Sequence, residues 1–258
     1  MPAIAVCLSS MTLGLLPLRP LDASFDGFRN DALFNTTTLM VSVLFVIVSG
    51  IILWSVVMHR EGRHRASYEQ GIGRRHLLFT GVITAVIFVG VDGTLLVDSY
   101  LDLGQVLWNF PRADQHPLEI EVWAQQWAWN VRYAGPDGRF GTPDDVVTLN
   151  DLHVPVGRPV VVHLKSKDVV HSFYLPNFRV KQDAVPGAET RTWFAAKVPG
   201  TFELGCAQHC GVSHYRMRGL VTVESPEAFD AWLGAQADVA KKRYDEDDAD
   251  AHWGWPWT

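Results

Sequence analysis

Two long apolar stretches dominate the first part of the chain. One runs from Thr36 to Met58, about 23 residues without a charged side chain, and the other runs from Leu77 to Val97, interrupted only by Asp92. At about 1.5 Å per residue, either stretch can cross a hydrocarbon core about 30 Å thick. A buried core helix is the alternative for each, but the first stretch is too long and too uniformly apolar for one. The pattern therefore predicts two transmembrane helices.

The segment between the two stretches sets their predicted orientation. Because positively charged loops stay on the cytoplasmic side, we expect this segment to face the cytoplasm and both flanking parts of the chain to lie outside. The sequence thus predicts a multi-pass anchor in a bacterial-type inner (plasma) membrane, with the rest of the protein on the periplasmic side. The arginines of the segment are Arg60, Arg63, Arg65, Arg74 and Arg75.

From Leu118 onwards the pattern changes to short runs typical of β-strands. Residues Leu118–Val122 alternate between apolar and acidic side chains, which indicates a half-buried strand. Turn signals such as Gly135-Pro136 and Pro199-Gly200 separate the runs. Several short strands with this spacing predict a Greek-key sandwich or barrel. The other predicted strands are Pro159–Leu164, Thr190–Ala196, Gly200–Leu204 and Gly219–Val223.

A last helix is predicted after the strands, and it completes the division of the chain. Ser225 is a good N-cap and Pro226 a good first helical residue. We expect four parts: an N-terminal segment (1–35) on the outer side, a transmembrane hairpin (36–98), a β domain (99–224), and a helix with an acidic tail (225–258). For the N-terminal segment a processed leader, an extension and an early start codon all stay open. The apolar face of the helix consists of Phe229, Trp232, Leu233, Ala237 and Ala240.

Composition narrows the function classes. With 48% hydrophobic residues and a mean hydropathy of +0.05, the chain is too apolar to be disordered and too polar for a many-helix membrane protein. A formal net charge of −6 argues against nucleic acid as a partner and is compatible with a basic protein. Three cysteines do not make a disulfide framework, and no Cys-x-x-Cys-His motif for a c-type haem is present.

The strongest chemical signal is a loop with the spacing Cys-x3-Cys-x3-His-x2-Met, formed by Cys206, Cys210, His214 and Met217. Thiolate, imidazole and thioether together are the soft ligands that select copper. Two thiolates four residues apart can both bridge a pair of copper ions, each capped by one histidine. The best candidate for the second histidine is His171, which we expect on a loop after a strand-like run.

Three other interpretations of this loop compete. A Cys206–Cys210 disulfide leaves the two histidines and the methionine unexplained. A Cys2His2 zinc site has no use for Met217. The same residues can also be ordinary core, because Cys and Met are commonly buried. The spacing is nevertheless a metal-ligand pattern rather than a packing pattern.

The loop, with His171 upstream, resembles that of subunit II of the haem-copper cytochrome c oxidases, which reads Cys-x-Glu-x-Cys-Gly-x-x-His-x-x-Met. The resemblance runs from about Thr36 to Val223 and implies a cupredoxin-like barrel with a binuclear copper (CuA) centre. Gln208 replaces the family's Glu, which lends its backbone carbonyl to copper and its carboxylate to a magnesium ion at the boundary with subunit I. Gln208 can supply only the carbonyl, so the magnesium contact is doubtful. The implied copper ligands are His171, Cys206, Gln208, Cys210, His214 and Met217.

Two further residues take their expected roles from the resemblance. Trp127 matches the first Trp of a Gln-Trp-x-Trp-x-x-x-Tyr segment, which lies exposed above the copper and receives the electron from cytochrome c. Packing of the ring in the core is the alternative. His76 stands near the family's Glu-x-x-Trp-Thr, whose Glu admits protons. Histidine changes its charge near neutral pH, so His76 is a candidate proton entrance, with a surface anchor beside Arg75, or Glu69 in its place, as alternatives.

The resemblance therefore implies the electron-entry subunit of a cytochrome-c oxidase, in which oxygen reduction itself occurs in subunit I. Its expected partners are subunit I and other oxidase subunits, a cytochrome c or similar c-type donor, and the lipid bilayer, without nucleic acid. Two alternatives stay open. One is a membrane-anchored copper carrier, and the other is the same copper module in a nitrogen-oxide reductase.

Overall fold

Two long helices form the first part of the fold. The computed structural model describes residues 19–60 and 70–243 together with residue 247. Helix α1 spans Gly27–Met58 and helix α2 spans Arg74–Leu107, and by length and composition both are able to cross a membrane. Both are longer than the apolar stretches that predicted them. The segment between them that includes Arg63, Arg65 and Glu69 lies outside the described residues.

Helix α2 is not a uniform α-helix. Its α-helical part Arg74–Ile87 passes into a π-helical turn at Phe88–Asp92, continues as an α-helix over Gly93–Asp102 and ends in a second π-helical turn, Leu103–Leu107. The ends of the two helices are tied together, because Arg29 Nη1 donates to Gln105 Oε1 at 3.2 Å and lies 3.6 Å from Asp102 Oδ1.

Ten strands of the described chain form a sandwich of two five-stranded sheets. The first sheet has the order β3-β2-β1-β5-β8 and the second the order β4-β10-β9-β6-β7. Most neighbours are antiparallel, but β1 with β5 and β10 with β4 are parallel. The strands are β1 Leu118–Gln125, β2 Ala128–Tyr133, β3 Val146–Leu149, β4 Asp151–Pro155, β5 Pro159–Ser166, β6 His171–Leu175, β7 Val180–Ala184, β8 Thr190–Ala195, β9 Gly200–Cys206 and β10 Arg218–Glu224.

The core lies between the sheets because alternate side chains of each strand turn inward. In β1 the side chains of Ile120, Val122 and Ala124 are fully buried, while Glu119 is exposed. The largest fully buried side chains include Trp129 of β2. The predicted sandwich is confirmed, and the runs predicted from the hydrophobic pattern became β1, β5, β8, β9 and β10.

Helix α3, Pro226–Arg243, follows β10 as predicted and packs against β3 and β4. Ser225 Oγ accepts a hydrogen bond from the backbone N–H of Ala228 at 3.2 Å, which caps the first turn. Phe229 is fully buried beside Tyr133, and Trp232 stacks on His153 with ring centroids 4.1 Å apart. The apolar face of the helix therefore extends the core beyond the sheets.

A segment before α1, residues 20–25, packs on the edge of the first sheet. Phe25 N–H donates to Ala195 O at 3.0 Å, and Lys197 N–H donates to Ala23 O at 2.8 Å. Ala23 is fully buried, and Lys197 Nζ forms an ion pair with Asp22 at 2.7 Å. The segment thus continues the sheet past the end of β8, the edge strand.

Candidate metal centre

Strands β9 and β10 hold the two ends of the Cys–His–Met loop together. Cys206 is the last residue of β9, and β10 begins at Arg218, which pairs with Gly205. The backbone N–H of Cys206 also donates to Met217 O at 3.2 Å. Between these points the chain makes a 3₁₀ turn at His214–Arg216. The antiparallel pair therefore brings the first and last predicted ligands of the loop side by side.

His171 reaches the same place from the neighbouring strand. It is the first residue of β6, and β6 pairs with β9 through Phe173 and Cys206. The expectation that a loop carries His171 was wrong, because the residue already belongs to the sheet. Its side chain is fully buried, with the ring edge-on to that of Trp129 at 6.2 Å between centroids. A strand fixes the direction of this imidazole more firmly than a loop does.

The sulfur and nitrogen atoms of these residues face one another across a small space. Cys206 Sγ lies 3.7 Å from Cys210 Sγ and 4.0 Å from His171 Nδ1. Cys210 Sγ lies 3.5 Å from His214 Nδ1 and 3.7 Å from Met217 Sδ. The carbonyl oxygen of Gln208 lies 3.2 Å from Cys206 Sγ. All six predicted ligand residues thus contribute an atom to one cluster.

This donor set fits copper better than the alternatives. A disulfide has its sulfurs about 2.0 Å apart, far closer than the two thiols here. A tetrahedral zinc site of two Cys and two His does not need Met217, which is buried against Cys210. Two thiols, two imidazoles and a thioether match the soft ligands of copper. The ligand atoms of His171, Cys206 and Cys210 all lie within 4.8 Å of one another, close enough to share metal ions.

The two thiols do not ionise alike. Burial works to raise the pKa of Cys206, but hydrogen bonds from His171 and from backbone groups outweigh it and lower this pKa to about 6. Burial and the neighbouring Cys206 together raise the pKa of Cys210 to about 12. Two negative charges 3.7 Å apart repel each other, so full ionisation of the pair requires positive charge between the sulfurs. A bound metal would supply that charge.

Asp168 and Gln126 support the cluster from outside, and the sequence pattern did not predict this role for either residue. Asp168 Oδ1 lies 2.8 Å from His171 Nε2, which leaves Nδ1 as the nitrogen that faces the sulfurs. Asp168 Oδ2 accepts from the backbone N–H of Gln126 at 2.7 Å. The available signal for Asp168 was a carboxylate three residues before a candidate ligand.

Trp127 is half-buried, and it contacts both the loop and the edge of the hydrophobic core. Its indole Nε1 donates to the carbonyl oxygen of Cys210 at 3.2 Å, and Gln126 Nε2 donates to the same oxygen at 2.8 Å. The side chain is half-buried at the turn between β1 and β2. Gly211, the residue after Cys210, has a φ of +117°, and a Cβ at this position would lie 2.9 Å from Gln126 Nε2. Glycine is therefore needed at this point of the loop.

The remaining predicted site residues are less enclosed. The Gln208 side chain is exposed, so its amide does not take part in the cluster. His76 lies in the first turn of α2, is exposed, and belongs to a different compact unit of the chain from the metal centre.

Comparison with known proteins gives one consistent result. Residues 140–224 match a family model described as cytochrome C oxidase subunit II, periplasmic domain. The alternative cytochrome c oxidase subunit 2 of Bradyrhizobium diazoefficiens is 35% identical over 239 residues, which cover 83% of this chain and 82% of the relative. The cytochrome c oxidase subunit 2 of a Synechocystis species is 25% identical over 262 residues, covering 85% and 76%.

A solved structure with detectable likeness is the periplasmic domain of subunit II of cytochrome oxidase from Bradyrhizobium japonicum. It has 31% sequence identity and a TM-score of 0.43, and the match covers 52% of this chain and 99% of that one.

Proposed function

Because the chain belongs to the subunit II family of the cytochrome c oxidases, we propose that it is the electron-entry subunit of a terminal oxidase. In this proposal it accepts electrons from a c-type cytochrome and passes them to the haems of subunit I, where oxygen is reduced. The complex is then a cytochrome-c oxidase, and this chain contributes its copper centre rather than the oxygen chemistry.

One observation carries the proposal: the paired thiols of Cys206 and Cys210 lie 3.7 Å apart, and the Nδ1 atom of a different histidine faces each of them. This is the arrangement that two bridged metal ions need. In the proposed site, His171 and His214 would each bind one of the two metal ions, with Met217 and the Gln208 carbonyl as weaker ligands. A copper pair bound there would take up and release one electron at a time.

The protein's part is to keep the ligands fixed. His171, Cys210 and Met217 are buried, and Asp168 holds the ring of His171 in one orientation. Ligands that do not move between oxidation states make electron transfer fast, because little has to rearrange. Gln208 presents no carboxylate, so a magnesium ion at the boundary with subunit I gains no charged ligand from this position.

Trp127 is the proposed point of electron entry. Its indole is half-buried and is hydrogen-bonded to the carbonyl of Cys210, a proposed copper ligand. The ring thus connects the surface with the ligand loop through one hydrogen bond.

The anchor supports a location in a bacterial-type plasma membrane, with the copper domain on the outer side. Residues Ala23 and Phe25 precede α1, yet they are hydrogen-bonded to Asn177 and Ala195, which follow α2. Segments bonded in this way lie on one side of a membrane. The two helices therefore cross the bilayer as a pair or not at all, and their length and apolar composition favour crossing.

The test is the spectroscopy of the purified full-length chain after copper loading. We expect two copper ions per chain and the EPR pattern of one electron shared by two coppers, followed by rapid reduction with a c-type cytochrome. A copper carrier would bind copper without fast reduction by the cytochrome. A nitrogen-oxide reductase would give the same spectrum, but its complex would consume a nitrogen oxide instead of oxygen.

Replacement of Trp127 by alanine tests the entry point. We expect electron entry from cytochrome c to slow by at least about tenfold, which corresponds to a rise of about 1.4 kcal/mol in the barrier, because the indole link to Cys210 is lost. The copper spectrum and the oxidation of chemically reduced oxidase should stay unchanged. Stopped-flow kinetics measure the rate. Trp193→Ala is the matched control, because Trp193 lies on β8, which β5 separates from β1. Equal rates of electron entry for the two variants would show that Trp127 serves only in packing.

A further inference from the structure

Three segments meet around the indole of Trp127. The first is the β1–β2 turn, with Gln126 and Trp127 bonded to the carbonyl of Cys210. The second is the segment 165–171 that leads from β5 into β6, joined to the turn by the bond between Gln126 N–H and Asp168. The third is the loop 206–217 itself. Together these segments form the surface around the proposed entry point, here called the entry surface.

The charges of the entry surface are opposite in sign to those of the whole chain. Its cations are Lys165, Lys167 and Arg216, and its one carboxylate is Asp168, so its formal charge is +2, while that of the chain is −6. Glu189 outside these segments lies 3.2 Å from Lys165 Nζ, and counting it still leaves +1.

The position of Asp168 increases this difference. Its Oδ1 accepts from the backbone N–H of Val169 at 2.6 Å and lies 2.8 Å from His171 Nε2, and its Oδ2 accepts from Gln126. The carboxylate is thus directed at groups of the entry surface, and these groups take up its hydrogen bonds.

The two lysines stand at the edge of this surface, on an aromatic ring. Lys165 Nζ lies 5.8 Å and Lys167 Nζ 5.6 Å from the centre of the Trp123 ring, within the range of a cation–π interaction. Lys167 and Arg216 are exposed. Both lysines therefore keep their ammonium groups at the same end of the β1–β2 hairpin as Trp127.

An apolar group lies beside the indole. Val212 is 89% exposed, and it follows Gly211, whose Cβ position is 3.3 Å from the Trp127 ring. An apolar centre with a charged rim is the usual anatomy of a protein docking surface. The sign of the rim then decides which partners approach quickly.

We propose that the entry surface docks a c-type cytochrome whose haem edge is surrounded by carboxylates, rather than a lysine-rich one. This inference rests on the proposed electron entry at Trp127. The net charge of the chain predicts a basic partner, but a docking partner responds to the local charge within about 10 Å at physiological salt. Lys165, Lys167 and Arg216 pair with the carboxylates, while the haem edge faces Trp127.

The experiment compares two donors that differ in surface charge. One is a lysine-rich cytochrome c, and the other is the same protein with its lysines succinylated, which replaces each ammonium by a carboxylate. Both are mixed with the copper-loaded full-length chain, and the second-order rate of copper reduction is followed over a range of ionic strength. We expect the succinylated donor to be faster at low salt by about tenfold and its rate to fall as salt is added.

Charge-reversal variants locate the effect. Lys165→Glu with Lys167→Glu should slow the succinylated donor and speed up the native one. Lys242→Glu makes the same charge change on helix α3, far along the chain from the entry surface, and should alter neither rate. Copper spectra of all variants confirm that the metal centre is intact.

The outcomes separate the two claims. If the lysine-rich donor is faster at low salt, or if the double reversal acts no differently from Lys242→Glu, the inference is wrong while electron entry stands. If neither donor reduces the copper at any ionic strength, although a small chemical reductant does, the proposed function fails as well.

Discussion

At the scale of single residues, Cys210 joins the metal centre from two sides. Its sulfur lies within 3.7 Å of Cys206, His214 and Met217, and its carbonyl accepts hydrogen bonds from Gln126 and Trp127. The residue therefore couples the ligand cluster to the surface that electrons are proposed to enter.

Substitution of Cys210 by serine should abolish the binuclear site. One remaining thiolate cannot bridge two coppers symmetrically, and a hydroxyl is a poor ligand for copper. We expect at most one copper per chain and loss of the shared-electron EPR pattern, measured by metal analysis and EPR. Ser213→Ala in the same loop is the control. Two coppers with an unchanged spectrum in the Cys210 variant would refute the ligand assignment.

Gly211 should tolerate no side chain. In Gly211→Ala the residue must keep a φ of +117° and place a methyl group 2.9 Å from Gln126 Nε2, which we expect to reduce the unfolding free energy by roughly 1–3 kcal/mol. Gly205→Ala is a matched control, because nothing lies within 4 Å of its Cβ position and its φ is not positive. Denaturant unfolding of the copper-free chain compares them. Equal midpoints would show that the loop relaxes around the methyl group.

The loop ligands were predictable because their spacing is local. Cys206, Cys210, His214 and Met217 lie within twelve residues, so a pattern of residue types suffices. Gln126 and Asp168 are 42 residues apart and meet only because β1 and β5 are parallel neighbours that end together. No local pattern carries that information.

At the scale of elements, the hydrophobic pattern predicted the strands with the strongest apolar character. Strands such as β5, in which five of the eight residues are apolar, can be predicted from their own sequence. Strand β7, Val180–Ala184, has three polar residues in its centre, and β4 begins with Asp151. Their position in the sheet is decided by pairing with β6 and β10 rather than by their own side chains. Such strands cannot be predicted one by one.

Helix α3 offers a test of how far its packing stabilises the domain. Phe229 is fully buried, 6.3 Å from Tyr133 between ring centroids. Phe229→Ala should lower the unfolding free energy by about 3–5 kcal/mol, through lost burial and a cavity. Val239→Ala, on the same helix with the side chain 41% exposed, should cost far less. Thermal unfolding of both variants decides the point, and similar melting temperatures would show that α3 is not part of the cooperative core.

At the scale of the whole molecule, the two helices exceed what a membrane requires. Helix α1 has 32 residues and α2 has 34, about 50 Å each, against a hydrocarbon core of about 30 Å. The apolar runs predicted the apolar part of each helix but not the residues beyond it, since hydropathy reports only the apolar part. His76 belongs to the arginine-rich end of α2, where the proposed proton entrance lies.

Replacement of His76 tests that role. If His76 admits protons to subunit I, oxygen consumption of the His76→Ala oxidase should fall severalfold, and most strongly at alkaline pH, where protons are scarce. His59→Ala, at the end of α1 beside the same predicted membrane surface, is the matched control. Turnover is measured against pH in the intact oxidase. If the turnover of the His76 variant equals that of the parent at every pH, protons enter at another residue.

The packing of residues 20–25 on the sheet edge has a consequence for the order in which the protein is made. Asp22 and its ion-pair partner Lys197 are 175 residues apart in sequence. At a synthesis rate of about 5–20 residues per second, the segment leaves the ribosome roughly 10–35 s before its partner exists. Both apolar helices are translated within that interval. Residues 20–25 therefore remain without their partners while both helices and strands β1 to β8 are made, and they can cover the edge of the first sheet only after β8 exists.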